Sequence, residues 1–348
     1  MGRDNAVSCV SVTLRMGRAR ARCLGILGSA ALAAAVALGG CSSSAAPAKA
    51  ATGATHALTL AQAQAIYNSY VKASTAAARA GNATQGLAIV GDAQWAVLNS
   101  QYTALATTGT PVFYVPALAS FPLWFVVAVP VRTDAGGHLG PAVNTLLAFQ
   151  RYIPSRSWTL NGSVVLDQPL PAIVHDSGGY VSAFSTAGSG LLLPPDLVGA
   201  TQAAVVDEGP AAPATEVIGS GQQTTGFYAV QNAQGNAASA RGLNYQWLLE
   251  GASYAQYELQ TTDGGALVLY GMYLNTSVEH PGNVSGTPIP VPANFAVLLP
   301  TASAKAGQHG VDENWTYEFA AVDPPATVHG AKVEVIGGSG APTYGHAY

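Results

Sequence analysis

Phe121-Pro-Leu-Trp-Phe-Val-Val-Ala-Val-Pro-Val131 is the stretch that decides the fold. It is rich in Val and aromatic residues and carries no charge. Pro122 and Pro130 leave little room for a helix. A strand sends successive side chains to opposite faces, so a strand that is apolar throughout must be covered on both. The expectation is a strand over Pro122–Arg132, covered by helices on one side and by the second half of the chain on the other. Outward from it, Pro111–Pro116, Thr145–Tyr152 and Ser157–Leu166 also read as strands. The last alternates Trp158, Leu160, Val164 and Leu166 with Thr159, Asn161 and Ser163, which predicts one wet face. Asp134-Ala-Gly-Gly137 and Pro154-Ser155 are turn signals between them.

Helices precede these strands. Thr59-Leu60-Ala61-Gln62 matches a capping box, and Leu60, Ala63, Ile66, Tyr67, Tyr70, Val71 and Ser74 follow at helical spacing. Gly81-Asn82 is a stop. A second helical stretch is expected over Thr84–Ala106, broken near Gly91-Asp92. After a Pro/Gly-rich stretch the order repeats. Helices are expected at Asp196–Asp207 and Thr224–Ala240, and strands at Tyr254–Gln260, Ala266–Asn275, Asn314–Val322 and Lys332–Ile336. A short strand is expected near Phe295–Leu299, and Gly219-Ser-Gly221 reads as a linker. Runs of helices followed by runs of strands indicate α+β. The predicted organisation is a first α+β domain over 58–168, a connector over 169–195, a second α+β domain over 196–341 and a tail over 342–348. A long helix laid across a curved antiparallel sheet resembles the NTF2-like, or cystatin-like, cone, so two such cones in tandem are expected.

The N-terminus carries a different signal. Arg18, Arg20 and Arg22 precede an apolar run, Leu24–Leu38, too short to span a bilayer core comfortably and laid out as a secretory signal. Leu38-Gly39-Gly40-Cys41 resembles a bacterial lipobox. That resemblance implies cleavage between Gly40 and Cys41 and lipidation of Cys41. Residues 1–40 are thus expected to be a signal peptide, although 1–15 fit no part of one and leave Met1 and Met16 both open as the start. Residues 41–57 are expected to be a lipidated tether, with Pro47 and Gly53 opposing a helix. Cys9, Cys23 and Cys41 are the three cysteines. None follows Cys41, so no internal disulfide or thiolate metal site can form after cleavage. Two acyl chains would hold such a protein stably on a membrane.

Charge narrows the function. Five of the 14 basic residues and one of the 18 acidic residues lie within 1–40, leaving 9 and 17, a net of −8. That argues against nucleic acid, which selects basic faces, and against electrostatic docking on anionic lipid. Charged residues make up 9% of the chain, well below the usual quarter.

Chemistry-bearing patterns are sparse. The seven histidines form no HxxxH or HxH pair and suggest no metal ligand set; no cofactor is indicated. His175-Asp176-Ser177 cannot form a triad from consecutive residues, and Asp176–Gly179 reads as a turn. Ser69-Tyr-Val-Lys72 matches S-x-x-K, but the companion S-D-N and K-T-G motifs are absent. No G-x-S-x-G, Walker A or G-x-G-x-x-G motif occurs. Asp312-Glu313 and Asp207-Glu208 are adjacent acidic pairs expected to face solvent. The numerous aromatics are expected to fill cores, with Tyr245-Gln246-Trp247 the exposed exception.

Pro111-Val-Phe-Tyr-Val-Pro116, Phe121-Pro-Leu-Trp-Phe-Val126, Asp263-Gly-Gly-Ala-Leu-Val268 and Phe319-Ala-Ala-Val-Asp-Pro-Pro325 together resemble an uncharacterised family of actinobacterial lipoproteins. The resemblance implies a location and an architecture and supplies no catalytic residues. The expected protein is a non-enzymatic lipoprotein on the extracytoplasmic face of the cell membrane, binding an envelope protein or a small ligand. A hydrolase using Ser69 and Lys72 is the alternative.

Overall fold

A computed structural model describes residues 56–100, 106–132, 134–135, 138–184, 190–283, 285–296, 298–299 and 306–348. The signal, the lipobox at Gly40 and Cys41, and residues 41–55 of the tether lie outside them. So do Tyr102 and Leu105 of the expected second helix.

Helix α1 (Leu60–Arg79) starts where the capping box places it. The Thr59 hydroxyl accepts from the Gln62 backbone N–H at 3.2 Å, and the Gln62 side chain accepts from the Thr59 N–H at 2.8 Å. Its inner face buries Ala63, Tyr67, Tyr70, Ser74 and Ala77. The second helical stretch is split, as the Gly91-Asp92 pair suggested, into α2 (Ala83–Leu87) and α3 (Asp92–Ser100). Asn82 caps α2, accepting from the Gln85 N–H at 3.0 Å.

Seven strands follow: β1 (Ala106–Thr107), β2 (Val112–Tyr114), β3 (Leu123–Arg132), β4 (Asp134–Ala135), β5 (His138–Leu139), β6 (Val143–Arg151) and β7 (Thr159–Val165). β1, β3, β6 and β7 lie in that order in an antiparallel sheet, with β2 also on β3; β4 and β5 form a small hairpin. The second half contributes α4 (Pro195–Glu208) and α5 (Thr225–Ser239). After them come β8 (Asn244–Gly251), β9 (Tyr257–Gln260), β10 (Ala266–Glu279), β11 (Ile289–Pro290), the single turn α6 (Ala293–Ala296), β12 (Ala306–Gly307), β13 (Gly310–Asp323) and β14 (Glu334–Ala347). Its main sheet runs β14-β13-β10-β8, with β9 also on β10.

The doubly apolar strand explains how these parts stack. On one face of β3, Phe125, Val127, Val129 and Val131 pack with Leu147, Phe149 and Leu160 beneath Ala63, Tyr67 and Tyr70 of α1. On the other, Val126 joins Leu146, Ala148 and Val164 against Leu259, Leu267, Leu269, Ala320 and Ile336 of the second sheet. The outer face of that sheet, with Val268, Tyr270, Met272 and Phe319, packs on Val198, Val205 and Val206 of α4 and Phe227 of α5. The result is helix, sheet, sheet, helix, with three apolar layers. The halves expected at 58–168 and 196–341 share the middle layer.

The seam between the sheets is backbone. Asp167 and Gln168 N–H donate to Ile336 C=O at 2.9 and 3.1 Å. A Cβ on Gly337 would lie 2.3 Å from the Val165 carbonyl oxygen, so only glycine allows this approach. The stretch expected as a connector stitches both sheets, through bridges from Val181 to Pro116 and from Ile173 and Ala183 to Thr261 and Leu259.

Several expectations need correction. Tyr245-Gln246-Trp247 is a strand, not an exposed junction. The Tyr245 hydroxyl donates to Gln231 of α5 at 2.6 Å and the Trp247 indole to Val206 C=O at 3.1 Å. The Phe295 region is a helical turn with Phe295 buried. Residues 342–347, expected as a tail, complete β14. Gly219 is buried, accepts from the Thr224 hydroxyl through its carbonyl and donates to Val333 C=O, so Gly219-Ser-Gly221 is a packed turn. Asp176 does make the expected turn, its carboxylate accepting from the Gly178 and Tyr180 N–H groups.

Candidate functional site

Where α1 leaves the first sheet, a groove opens along the helix. One stretch of about 380 Å³ is lined by Ile66, Ser69, Tyr70, Ile89, Phe149 and Trp158. A second of about 290 Å³, sharing Ala65, Ile66 and Trp158, continues toward Leu58, Gln62, Phe121 and Arg151. The floor is apolar because Phe149 of β6 and Trp158, just before β7, pack toward α1. The end nearest the start of the fold is polar. There Arg151 lies over the Phe121 ring at 5.6 Å, its Nε donates to Arg156 C=O at 2.7 Å, and a second guanidinium nitrogen donates to Pro154 C=O.

Ser69 lies on the exposed side of α1 and lines this groove, and Lys72 is exposed. No hydrogen bond joins them, and the groove lining beside Ser69 includes no His, Lys, Asp or Glu.

Sequence reasoning missed a polar network behind α3. Asp92 opens the helix with φ +47, a left-handed conformation at a non-glycine residue, which typically costs about 1–3 kcal/mol and clusters at functional positions. Its carboxylate accepts from the Tyr152 hydroxyl and from Asn161 Nδ2 at 2.8 Å. Asn161 also donates to Gln150 Oε1 at 3.3 Å, and the Tyr257 hydroxyl donates to the same oxygen at 2.9 Å. Hydrogen bonds thus run from a tyrosine between the sheets to a tyrosine at the rim of an open hollow that also holds Arg156 and Thr159. Burial first, then the Asp92 carboxylate, pushes the Tyr152 phenol up; burial does the same to Tyr257.

Beside this network, Glu318 of β13 is buried between the sheets. Its carboxyl accepts from Gln94 Nε2 of α3 and from the Ser163 N–H of β7 at 3.2 Å. Burial raises its pKa to about 8, despite the opposing effect of those two hydrogen bonds. Other acids of this half are raised by burial too: Glu258 and Glu313 to about 7, Asp323 to about 6. Asp207 is also raised, and its carboxylate accepts from the Leu249 N–H at 3.0 Å. Glu313 and Asp207 are therefore not the solvent-facing groups their adjacent pairs suggested. The available signal for Glu318 was its place in a strand whose same face carries the apolar Ala320 and Val322.

No group of three or more His, Cys, Asp or Glu suited to a metal occurs among the described residues. No described helix is long and apolar enough to cross a membrane.

A family model described as a domain of unknown function (DUF8094) matches residues 54–345. A protein of Streptomyces avermitilis named "Uncharacterized lipoprotein" is 27% identical over 215 residues, covering 59% of this chain and 60% of that protein. The chain therefore spans about three fifths of that relative's length. No solved structure matches the chain.

Proposed function

The chain belongs to the DUF8094 family, a domain of unknown function; we propose that it is a membrane-anchored, extracytoplasmic lipoprotein that holds an apolar chain of acyl type in the groove along α1, without catalysis. The groove carries the reading: its stretches of about 380 and 290 Å³ lie at the low end of small-molecule sites, roughly 300–1,000 Å³, and Ile66, Phe149 and Trp158 make its floor apolar. Anchoring is supported by the Cys41 lipobox and by the name of the Streptomyces relative. The occupant follows from where the groove lies. Its polar end is lined by Ala57, Leu58 and Gln62, at the start of the fold. Fourteen residues, 42–55, separate Cys41 from His56. An anchor at Cys41 would therefore be joined to the chain close in sequence to this end of the groove, which supports an occupant of lipid chemistry. Arg151 and Gln62 at that end suit a polar or acidic head group. The capped helix lying across an antiparallel sheet supports an NTF2-like reading of the first half.

Cys41→Ala tests the anchor. The precursor is expected to lose lipid labelling and membrane retention while keeping its cooperative unfolding; retention as tight as in the wild type would overturn the lipobox reading. Titration with a fluorescent long-chain fatty acid tests the groove. Ala65→Trp, an exposed helix position lining both stretches, is expected to weaken binding at least tenfold with the melting temperature unchanged. Absence of alkyl-probe binding by the wild type would sink the ligand. Fluorophosphonate labelling at Ser69 would replace the non-catalytic reading by the hydrolase.

A further inference from the structure

The long strands of the second sheet outreach the first. β10, β13 and β14 each hold 14 residues, against 10, 9 and 7 in β3, β6 and β7. At about 3.3 Å per residue the difference is on the order of 13–23 Å. On its helix side the overhang is fully built: Tyr245, Val278, Val311 and Ala347 pack with Leu243, Ile289 and Leu299. On the other side the apolar residues that meet the first sheet give way, beyond Thr316, to polar ones.

Register places these in cross-strand rows. One is Gln246, Ser277, Asp312 and His346; the next is Leu248, Asn275, Asn314 and Tyr344. The polar groups hold one another. Asn314 Nδ2 donates to Asn275 Oδ1 at 2.5 Å, Asn275 Nδ2 donates to Glu250 at 2.7 Å, and the Ser277 hydroxyl donates to Asp312 at 2.8 Å. Each amide keeps a free N–H and each carboxylate free lone pairs. Tyr344 is 55% exposed at the end of its row, and the His346 ring stacks on Tyr348 with centroids 5.3 Å apart. A shallow groove of about 350 Å³ runs along these rows.

We propose that this overhanging face binds a glycan chain that carries no acidic groups. Fixed donors and acceptors repeat at the strand spacing of about 4.7–4.9 Å and offer paired hydrogen bonds to successive sugar hydroxyls. Tyr344 and the His346–Tyr348 stack supply flat surfaces for the C–H faces of sugar rings. Charge selects among glycans. β8, β10, β13 and β14 contain no Lys or Arg, and register places Glu250, Glu279 and Asp312 on this face. Such a face repels phosphate- or uronate-bearing polymers and accepts neutral or amine-bearing ones. A second copy of the chain fits poorly, since protein interfaces bury an apolar centre and Leu248 is the one large aliphatic side chain in the two rows. The inference is independent of the α1 groove.

The test is calorimetric titration of the detergent-solubilised full chain with chitohexaose and cellohexaose, with polygalacturonate as the acidic comparator. Binding of a neutral hexasaccharide is expected. Asn275→Ala combined with Asn314→Ala, and separately Tyr344→Ala at an exposed site that cannot unfold the protein, are each expected to weaken it tenfold or more. Fatty-acid binding in the α1 groove should be unchanged by Tyr344→Ala. Failure to bind either neutral glycan, tighter binding of polygalacturonate, full affinity in both variants, or self-association abolished by Tyr344→Ala would each overturn the proposal.

Discussion

Glu318→Gln is expected to make the protein more stable than the wild type at pH 8 and nearly indifferent at pH 4.5. The folded carboxyl, with its pKa raised to about 8, keeps its proton at neutral pH, while the same group in the unfolded chain releases it near the ordinary value of 4.5. Between these values the native state binds more protons, so stability is greatest below about pH 4.5 and falls as pH rises toward 8, then levels off. The limiting slope for one such group is about 1.4 kcal/mol per pH unit. Glutamine keeps an acceptor for Gln94 and the Ser163 N–H without an ionisable proton, so it removes this contribution. Glu258, Glu313 and Asp323 act in the same sense over lower windows, so the variant retains a shallower decline. Urea unfolding at pH 4.5, 6, 7 and 8 checks this. Parallel stability curves for the two proteins would mean that Glu318 is ionised in the fold.

The second large effect is expected from Phe125→Ala. Phe125 is fully buried, stacks on Phe149 with ring centroids 5.0 Å apart and meets Trp158 at 5.4 Å. Removing the ring leaves a void beneath α1, and losses for such truncations are about 3–5 kcal/mol. Trp95→Ala, at a side chain 48% exposed, should by contrast change stability by no more than about 0.5 kcal/mol. Chemical denaturation of the pair measures the difference. Because Phe149 and Trp158 also floor the α1 groove, Phe125→Ala should weaken fatty-acid binding as well. A loss under about 1 kcal/mol would place the strand outside the core.

Much of this fold was legible in the chain. Stretch 121–131 required cover on both faces, and it has a helix on one and a sheet on the other. Thr59 and Gln62 announced α1, and Asp176 its turn. What sequence could not supply was which surface covers which, because an apolar face carries no label for its partner. β8 escaped because Asn244, Gln246 and Glu250 interrupt it with outward polar groups. The end of β14 escaped because the small residues and proline that follow Ile336, Gly-Gly-Ser-Gly-Ala-Pro, read as the end of a strand, leaving 342–348 as a tail. Its glycines are small because rings lie across them: a Cβ on Gly338 would meet Phe319 at 2.7 Å and one on Gly340 would meet Tyr317 at 2.4 Å. The site was less legible still. Asn161 sits at a position that reads as wet, and only the second sheet and α3, arriving from distant sequence, bury it; Glu318 is buried by α3 and the first sheet.

The buried acids have a consequence for the medium in which the protein works. Glu318, Asp323 and Asp207 are held by amide and backbone N–H groups, not by cations. Among the described residues the one carboxylate–base contact is the exposed His346–Asp312 pair at 4.0 Å. Dissolved ions weaken attractions between exposed opposite charges, over a Debye length of about 8 Å at physiological strength. Here there is little of that kind to weaken, so moderate changes in salt concentration leave the electrostatics of the described fold essentially untouched.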